Sequence, residues 1–371
     1  MKRRAFLKYV GAGAVVIGGS SIFSSWLAMG QDDALRSTYI PEQVAGFTVE
    51  ETDILYLASL APSGHNTQPW TVRVKEPGRW IIGSEQSRWL PAVDPTNREL
   101  LLSIGTFLEN LTFAAGMYGY YTEIKVIARD SHNANLVEVN FIPGVLQDNL
   151  RSKIITRRTM RSTQLRNELK QADVDYLLLN KKDQIVYYPL VSEQGRYLAE
   201  GTLAANKVQA LRESAQLELA NWIRWSNAAA KKYRNGLTPE SMELSGFARW
   251  YTKNFFNQQT VLEKSFREET IKKIEAQANN CGGWLVVTSP SQSITDIIHA
   301  GRALERVWLK AKDKNIAFHP MTQMLEESPW KDTLRQDLGL KEQIQFIIRV
   351  GYVEAYLPPV SLRMPMGSIV K

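Results

Sequence analysis

At 371 residues, with 44% hydrophobic and 22% charged side chains, the chain is long enough to bury a large core in two domains or one duplicated unit, and it holds no low-complexity tract. Four of the positives behind the formal charge of +7 lie in the first ten residues (Lys2, Arg3, Arg4, Lys8), and the +3 left without them offers nucleic acid little to hold. One cysteine, Cys281, excludes an internal disulfide, and four dispersed histidines give no metal-ligand spacing. Cys281 itself reads as a buried, inert side chain rather than a reactive thiol.

The chain opens on KRRAFLK (residues 2–8), followed by the mildly apolar run YVGAGAVVIGGSSIFSSWLAMG. Gly11, Gly13, Gly18 and Gly19 make that run a poor membrane span, and Ala28 and Gly30 are the small residues of a cleavage site, so residues 1–30 read as an export signal. Arg3-Arg4 with Phe6-Leu7-Lys8 resembles a twin-arginine signal, with Lys2 where Ser or Thr is usual. That resemblance implies a periplasmic or otherwise extracytoplasmic protein, exported already folded, with no stable membrane span after cleavage. An uncleaved anchor helix is the other reading.

Next comes a helix-like run, ILYLASL (Ile54 to Leu60), then the turn APSGHNTQPW (residues 61–70), then a strand-like alternation from Thr71 to Val74. Pro, Gly, Asn and Ser are ordinary turn residues, so this segment by itself indicates a turn and nothing more. An internal repeat follows at an offset of 196 residues: SIGTFLENLTFAA (Ser103 to Ala115) against HAGRALERVWLKA (His299 to Ala311). Gly105 matches Gly301, Leu108 matches Leu304, Glu109 matches Glu305 and Ala115 matches Ala311. Each helix goes with strand-like runs, LVEVNF (Leu136 to Phe141) and QFIIRV (Gln345 to Val350). The mature chain therefore reads as two related halves, 31–150 and 151–371.

Only the second half carries a long helix-compatible insertion, at about 195–280, broken at NGLTPE (Asn235 to Glu240). Its aromatic residues Phe247, Trp250, Tyr251, Phe255 and Phe256 suit core or interface packing, with a lid over a site as the functional alternative. Ahead of it lies IITRRTMRSTQL (Ile154 to Leu165), in which Arg157, Arg158 and Arg161 fall on neighbouring helix faces around the Thr159 hydroxyl. Guanidinium groups beside a hydroxyl suit a phosphate, and a solvated basic face is the alternative.

APSGHNTQPW, TRRTMR, the helix from Gly301 to Ala311 leading into FHPMTQ (Phe318 to Gln323), and SLRMP (Ser361 to Pro365) together resemble the nitroreductase-like FMN-binding family, specifically its exported, internally duplicated Acg-like branch. The resemblance implies an α+β nitroreductase-like fold, duplicated in one chain as a pseudo-dimer with a helical lid insertion. It implies one complete FMN site, made of the turn from the first half and the arginines from the second, in a monomer. Carried over residue by residue, Arg157 and Thr159, with Arg158 and Arg363, are expected at the flavin phosphate, and Arg161 at the pyrimidine edge of the ring. Pro62, Ser63, Gly64 and Asn66 are expected to line the opposite side. Pro320, Met321 and Thr322 are expected beside the central ring, and His299 near it. Gln68 and Trp70 should brace the turn, and His65 takes no catalytic role because flavin carries the redox step. Thr322, where many relatives have an acidic residue, and Gly64, where a hydroxyl residue is frequent, depart from the pattern. The function implied is an FMN-dependent oxidoreductase reducing a flat, electron-poor nitroaromatic or quinone with an unidentified electron donor. Flavin sequestration with little turnover is one alternative, and a cofactor-free binding protein another.

Overall fold

Thr48 begins the first helix by capping it: its hydroxyl accepts from the Glu51 N–H while the Glu51 carboxylate accepts from the Thr48 N–H. The structure, a computed structural model, describes residues 43–161, 164–180 and 184–371, so the expected export signal lies outside the described residues. After helix α1 (Val49–Ser59), strands β1 (Trp70–Glu76) and β2 (Arg79–Ser84) form a hairpin over Pro77-Gly78. Helix α2 (Arg98–Gly116) and strands β3 (Tyr120–Val126) and β4 (Asn135–Pro143) complete the first sheet, in the order β1-β2-β4-β3.

Short helices α3 (Arg151–Thr156) and α4 (Gln171–Leu177) lead into a second sheet built on the same plan. It contains β5 (Ile185–Pro189), β6 (Gly283–Ser289), β7 (Ile316–Pro320) and β8 (Gln343–Tyr352), in the order β5-β6-β8-β7, with helix α11 (Ile294–Ala311) between β6 and β7. The two sheets agree even in an irregularity. The β2–β4 register slips by one residue at Ile82/Gly83, and the β6–β8 register slips at the corresponding Val287/Thr288. A bulge repeated at the same place in both sheets is a feature of the unit and not an accident of one copy.

The insertion enters between β5 and β6, where the first half has only its tight hairpin. Helices α5 (Glu193–Leu211), α6 (Glu213–Trp222), α7 (Asn227–Tyr233), α8 (Gly246–Phe255), α9 (Gln258–Leu262) and α10 (Lys264–Ala278) fill it, close to the expected 195–280. Helix α12 (Trp330–Asp337) joins β7 to β8.

Helices α2 and α11 cross between the sheets at the two glycines of the sequence repeat. A Cβ on Gly105 would lie 2.2 Å from the Ile298 carbonyl oxygen, and one on Gly301 would lie 2.2 Å from that of Leu102. Only glycine permits this backbone approach. Around the crossing, Phe107, Leu108, Leu304, Trp308 and Phe318 are fully or almost fully buried in one continuous core shared by both halves.

The second half also lends chain to the first. Its own start lies on its own sheet, where Met160 N–H donates to the Phe318 carbonyl and Leu165 N–H to that of Tyr352. Its C-terminal residues cross back: Val72 N–H donates to the Ile369 carbonyl and Lys371 N–H to that of Val72, so they lie parallel to β1. Among the described residues no helix is long and apolar enough to cross a membrane.

Candidate functional site

The turn at 61–69 is held in a costly shape. His65, Asn66 and Gln68 all have left-handed φ, at 47°, 55° and 52°, which non-glycine residues adopt only when their surroundings enforce it. The enforcement is visible. Asn66 Nδ2 donates to the Gly236 and Leu362 carbonyls, and Gln68 Nε2 donates to the Arg234 carbonyl while its Oε1 accepts from Met364 N–H. The insertion and the C-terminal segment thus clamp the turn from behind. Its front, Pro62 to His65, faces a cavity of about 400 Å³.

Both halves and the insertion wall that cavity. Besides the turn, the first half gives Glu99, Ser103 and Thr106 from α2; the second gives Thr159, Arg161, Leu304, Trp308, His319, Pro320 and Thr322. The insertion covers it with Trp225, Met242, Leu244, Phe256, Phe266 and Lys273, among others. Of the aromatic residues singled out in the insertion, only Phe256 reaches the cavity. Phe247, Trp250 and Phe255 are half exposed and pack on one another and on Tyr251 at the outer surface.

Seven of the residues expected at a flavin site are therefore brought together: Pro62, Ser63, Gly64, Thr159, Arg161, Pro320 and Thr322. The other six are placed elsewhere, and each placement corrects an expectation. Asn66 points away from the cavity to Gly236, Leu362 and the Arg363 guanidinium. Arg363 serves as a brace, donating to the carbonyls of Leu60 and Ala61. Arg157 is buried, stacked 5.1 Å over the Trp308 ring and donating to the Leu60 carbonyl, with its Nε 3.1 Å from Glu305 Oε1. Arg158 is held by Glu243 of the insertion at 2.8 Å and by the Pro358 carbonyl. Met321 is buried and its N–H is used by the Ile347 carbonyl, which leaves the Thr322 N–H as the donor of the three-residue run. His299 is exposed on α11 and does not line the cavity. Gln68 and Trp70 brace the turn as expected: Trp70 is fully buried against Phe107.

The cavity has two electrostatic ends. At one, Arg161 Nη1 donates to the Ser241 carbonyl, and its backbone N–H donates to Glu243, whose carboxylate it shares with Arg158. Lys273 and Arg349 lie close by, with Arg349 donating to the carbonyls of Gln277 and Arg161. Burial, with the neighbouring Arg349, Arg161 and Lys273, holds His319 well below its usual pKa, so its ring is neutral, and its Nδ1 has no hydrogen-bond partner. His65 is pushed down to about 4 by burial and by Arg161. This end awaits an anion or a ring of hydrogen-bond acceptors.

The other end is acidic, and reading the sequence missed it. Glu99 is pushed up to about 8 by burial and by repulsion from Glu326, which burial likewise pushes up. The Thr322 hydroxyl donates to Glu326 Oε1 at 2.6 Å, and Gln209 Nε2 donates to the other oxygen. Glu99 opens an amphipathic helix and Glu326 follows a turn, so each looked like an ordinary solvated acid; only the fold sets them together.

The Nitroreductase family profile matches residues 204–352 of this chain. Acg of Mycobacterium tuberculosis, named by inference as an NAD(P)H nitroreductase, is 21% identical over 352 residues, covering 87% of this chain and 96% of its own. Over those residues and along most of its length, this chain is similar to nitroreductases. Two further relatives of similar length are PigM of Serratia sp., 22% identical with 80% and 86% of the two chains covered, and Rv3131 of M. tuberculosis, 24% identical with 92% and 95% covered. Both are likewise named by inference as NAD(P)H nitroreductases. The solved structure of the FMN-dependent nitroreductase NfnB from M. smegmatis overlaps 54% of this chain and 86% of its own, at 15% identity and a TM-score of 0.36, too slight a likeness to bear on ligand or partner.

Proposed function

We propose that the protein is an FMN-dependent oxidoreductase with one flavin site per chain, reducing a flat, electron-poor acceptor of the nitroaromatic or quinone type. The observation that carries this reading is the cavity at the junction of the two halves, where a strained turn from one half faces Arg161, Pro320 and Thr322 from the other. The polar set fits the cofactor: Arg161 and Lys273 form a cationic, donor-bearing wall, the neutral His319 adds an unpartnered Nδ1, and Thr159 adds a hydroxyl. Arg161 would stabilise negative charge on the pyrimidine edge, and the Thr322 N–H would donate toward the central ring. Trp308 and the aliphatic Pro62 and Leu304 keep the remaining walls apolar and limit water. When bound, the flavin supplies two-electron transfer to the acceptor.

Arg157, Arg158 and Arg363 act at one remove. By fixing the Leu60 and Ala61 carbonyls and Glu243, they position the turn and the insertion between which the cofactor would lie.

The second reading, flavin sequestration, is favoured by one observation. Helices α5 to α10 already cover the cavity, and the Arg158–Glu243 ion pair fastens that cover to the arginine run. A visible spectrum with flavin quantified per chain, followed by anaerobic reduction and addition of a quinone, tests both. Rapid reoxidation supports the enzyme, an inert bound flavin supports sequestration, and a protein that refuses FMN overturns both. Arg161→Gln is expected to lower flavin occupancy at least tenfold, and unchanged occupancy would remove Arg161 from the site. We also propose export by the twin-arginine route, supported by Arg3-Arg4 and the run after them. Recovery of the protein only in the cytoplasmic fraction of its host would overturn that location.

A further inference from the structure

The acidic end of the cavity contains a group with a chemistry of its own. Glu99 comes from the start of α2, Glu326 from the turn after β7, and the Thr322 hydroxyl lies between them, donating to Glu326 at 2.6 Å and lying against Glu99. Glu99 also lies against the turn, its Oε2 3.8 Å from where a Cβ on Gly64 would sit. We propose that Glu99 and Glu326, bridged by Thr322, share one proton and deliver it to the acceptor reduced in this cavity. The proposal rests on the oxidoreductase reading above.

The charges around the pair leave little alternative. Three carboxyls, Asp94, Glu99 and Glu326, meet in a site where Arg98 is the neighbouring cation, 3.3 Å from Glu99 Oε1. Arg98 is also engaged by the Gln345 carbonyl, and Asp94 accepts from Leu100 N–H. From the insertion, Gln209 donates to Glu326, and Arg212 is occupied by Glu327. Holding all three carboxyls ionised would place two uncompensated negative charges out of water, so one proton stays. The upward shift of Glu99 agrees with this.

An independent observation points to a ligand here. Asn206, 6% exposed, lines the cavity from α5 one turn before Gln209, which donates to Glu326, and the Asn206 Oδ1 has no hydrogen-bond partner. A ligand that receives a proton becomes a hydroxyl or N–H that such an oxygen can hold.

The balance closes for a quinone. Forming the hydroquinone takes up two electrons and two protons; both electrons and one proton arrive as hydride from a donor of the dihydroflavin class. The second proton leaves a carboxyl oxygen of the pair, breaking that O–H bond and forming one on the acceptor oxygen. Both carboxylates are then ionised until solvent returns a proton.

The test is isotope-edited infrared spectroscopy of the full chain carrying ¹³C-carboxyl glutamate, with and without bound flavin. A protonated glutamate band at pH 7, titrating away near pH 8 and lost in Glu99→Gln, is expected; its absence in the unmutated protein overturns the proposal whatever the activity. The rate of quinone reduction is then followed against pH. It should fall as pH rises through about 8, and Glu99→Gln should be about 100-fold slower with that basic limb gone. Thr322→Val, which removes the bridge and keeps both carboxyls, should shift the limb. An unchanged rate and limb in Glu99→Gln overturns delivery alone. A chain that holds the proton but reduces no acceptor overturns delivery together with the functional reading.

Discussion

Arg157 takes a positive charge into the core, where Glu305 and the Trp308 ring answer it. Both side chains of the ion pair are almost completely buried, and burial still pushes Glu305 up to about 7 against the pull of Arg157. Removing one member of such a pair leaves the other charge without compensation, so Arg157→Met should cost about 3–5 kcal/mol in urea unfolding, and adding Glu305→Gln should return part of it. The buried titrating groups also set a pH dependence. Glu99 and Glu305 have raised folded pKa values, near 8 and 7, so the folded chain binds more protons than the unfolded one from about pH 4.5 upward, and stability falls as pH rises. His65 and His319 have lowered values and act in the opposite sense, but only below the unfolded histidine pKa of about 6.5. Between pH 6.5 and 8 the carboxyl slope is left. The urea midpoint should decline across that window, and Glu99→Gln should flatten the upper part; a midpoint that rises would contradict the assignment.

At the scale of elements, the decisive contact is the crossing of α2 and α11. Gly105→Ala or Gly301→Ala would force a methyl to 2.2 Å from a carbonyl oxygen of the partner helix, on backbone that has no rotamer to yield. Either change should cost at least about 2 kcal/mol, read as a lowered urea midpoint. This contact was legible in the sequence. The repeat of Gly105 with Gly301 and Glu109 with Glu305 marked the two helices that cross, and the extra helices of the second half stood out because nothing in the first half matched them. What the sequence could not tell was which polar residues would be spent on structure. Arg157, Arg158 and Arg363 carry the right chemistry for a phosphate, yet their partners are carbonyls and carboxylates from residues 60–61, 243, 305 and 358, placed there by tertiary packing alone. Glu243 shows the same limit from the other side. It links the insertion to Arg158 and to the Arg161 backbone, so Glu243→Gln should loosen the cover and speed flavin release severalfold, measured by the recovery of flavin fluorescence on dilution.

Across the whole molecule, two like halves do not give two like sites. Position by position, Ser103 and Thr106 on α2, which line the cavity, correspond to His299 and Arg302 on α11. Arg302 and Arg306 both pair with Glu109, at 2.7 and 2.8 Å, and set charge where the related site would open. His299 is thus the repeat's counterpart of a cavity residue, exposed on the other side, and this explains why its sequence context suggested a ligand. Flavin at one per chain is the expected stoichiometry; two per chain would contradict the asymmetry.

The return of the C-terminal segment to the first half also constrains when that half can be finished. Asn66 of the strained turn is held by Arg363, 297 positions later, and β1 gains its outer neighbour only from Ile369 to Lys371. At about 5–20 residues per second of synthesis, the turn must wait on the order of 15–60 s after it leaves the ribosome for the residues that hold its shape. The first half therefore cannot mature until residues 363–371 have emerged, however early it emerges itself. A nascent chain stalled before Arg363 should be cleaved by protease within the turn, while the chain carrying those residues resists.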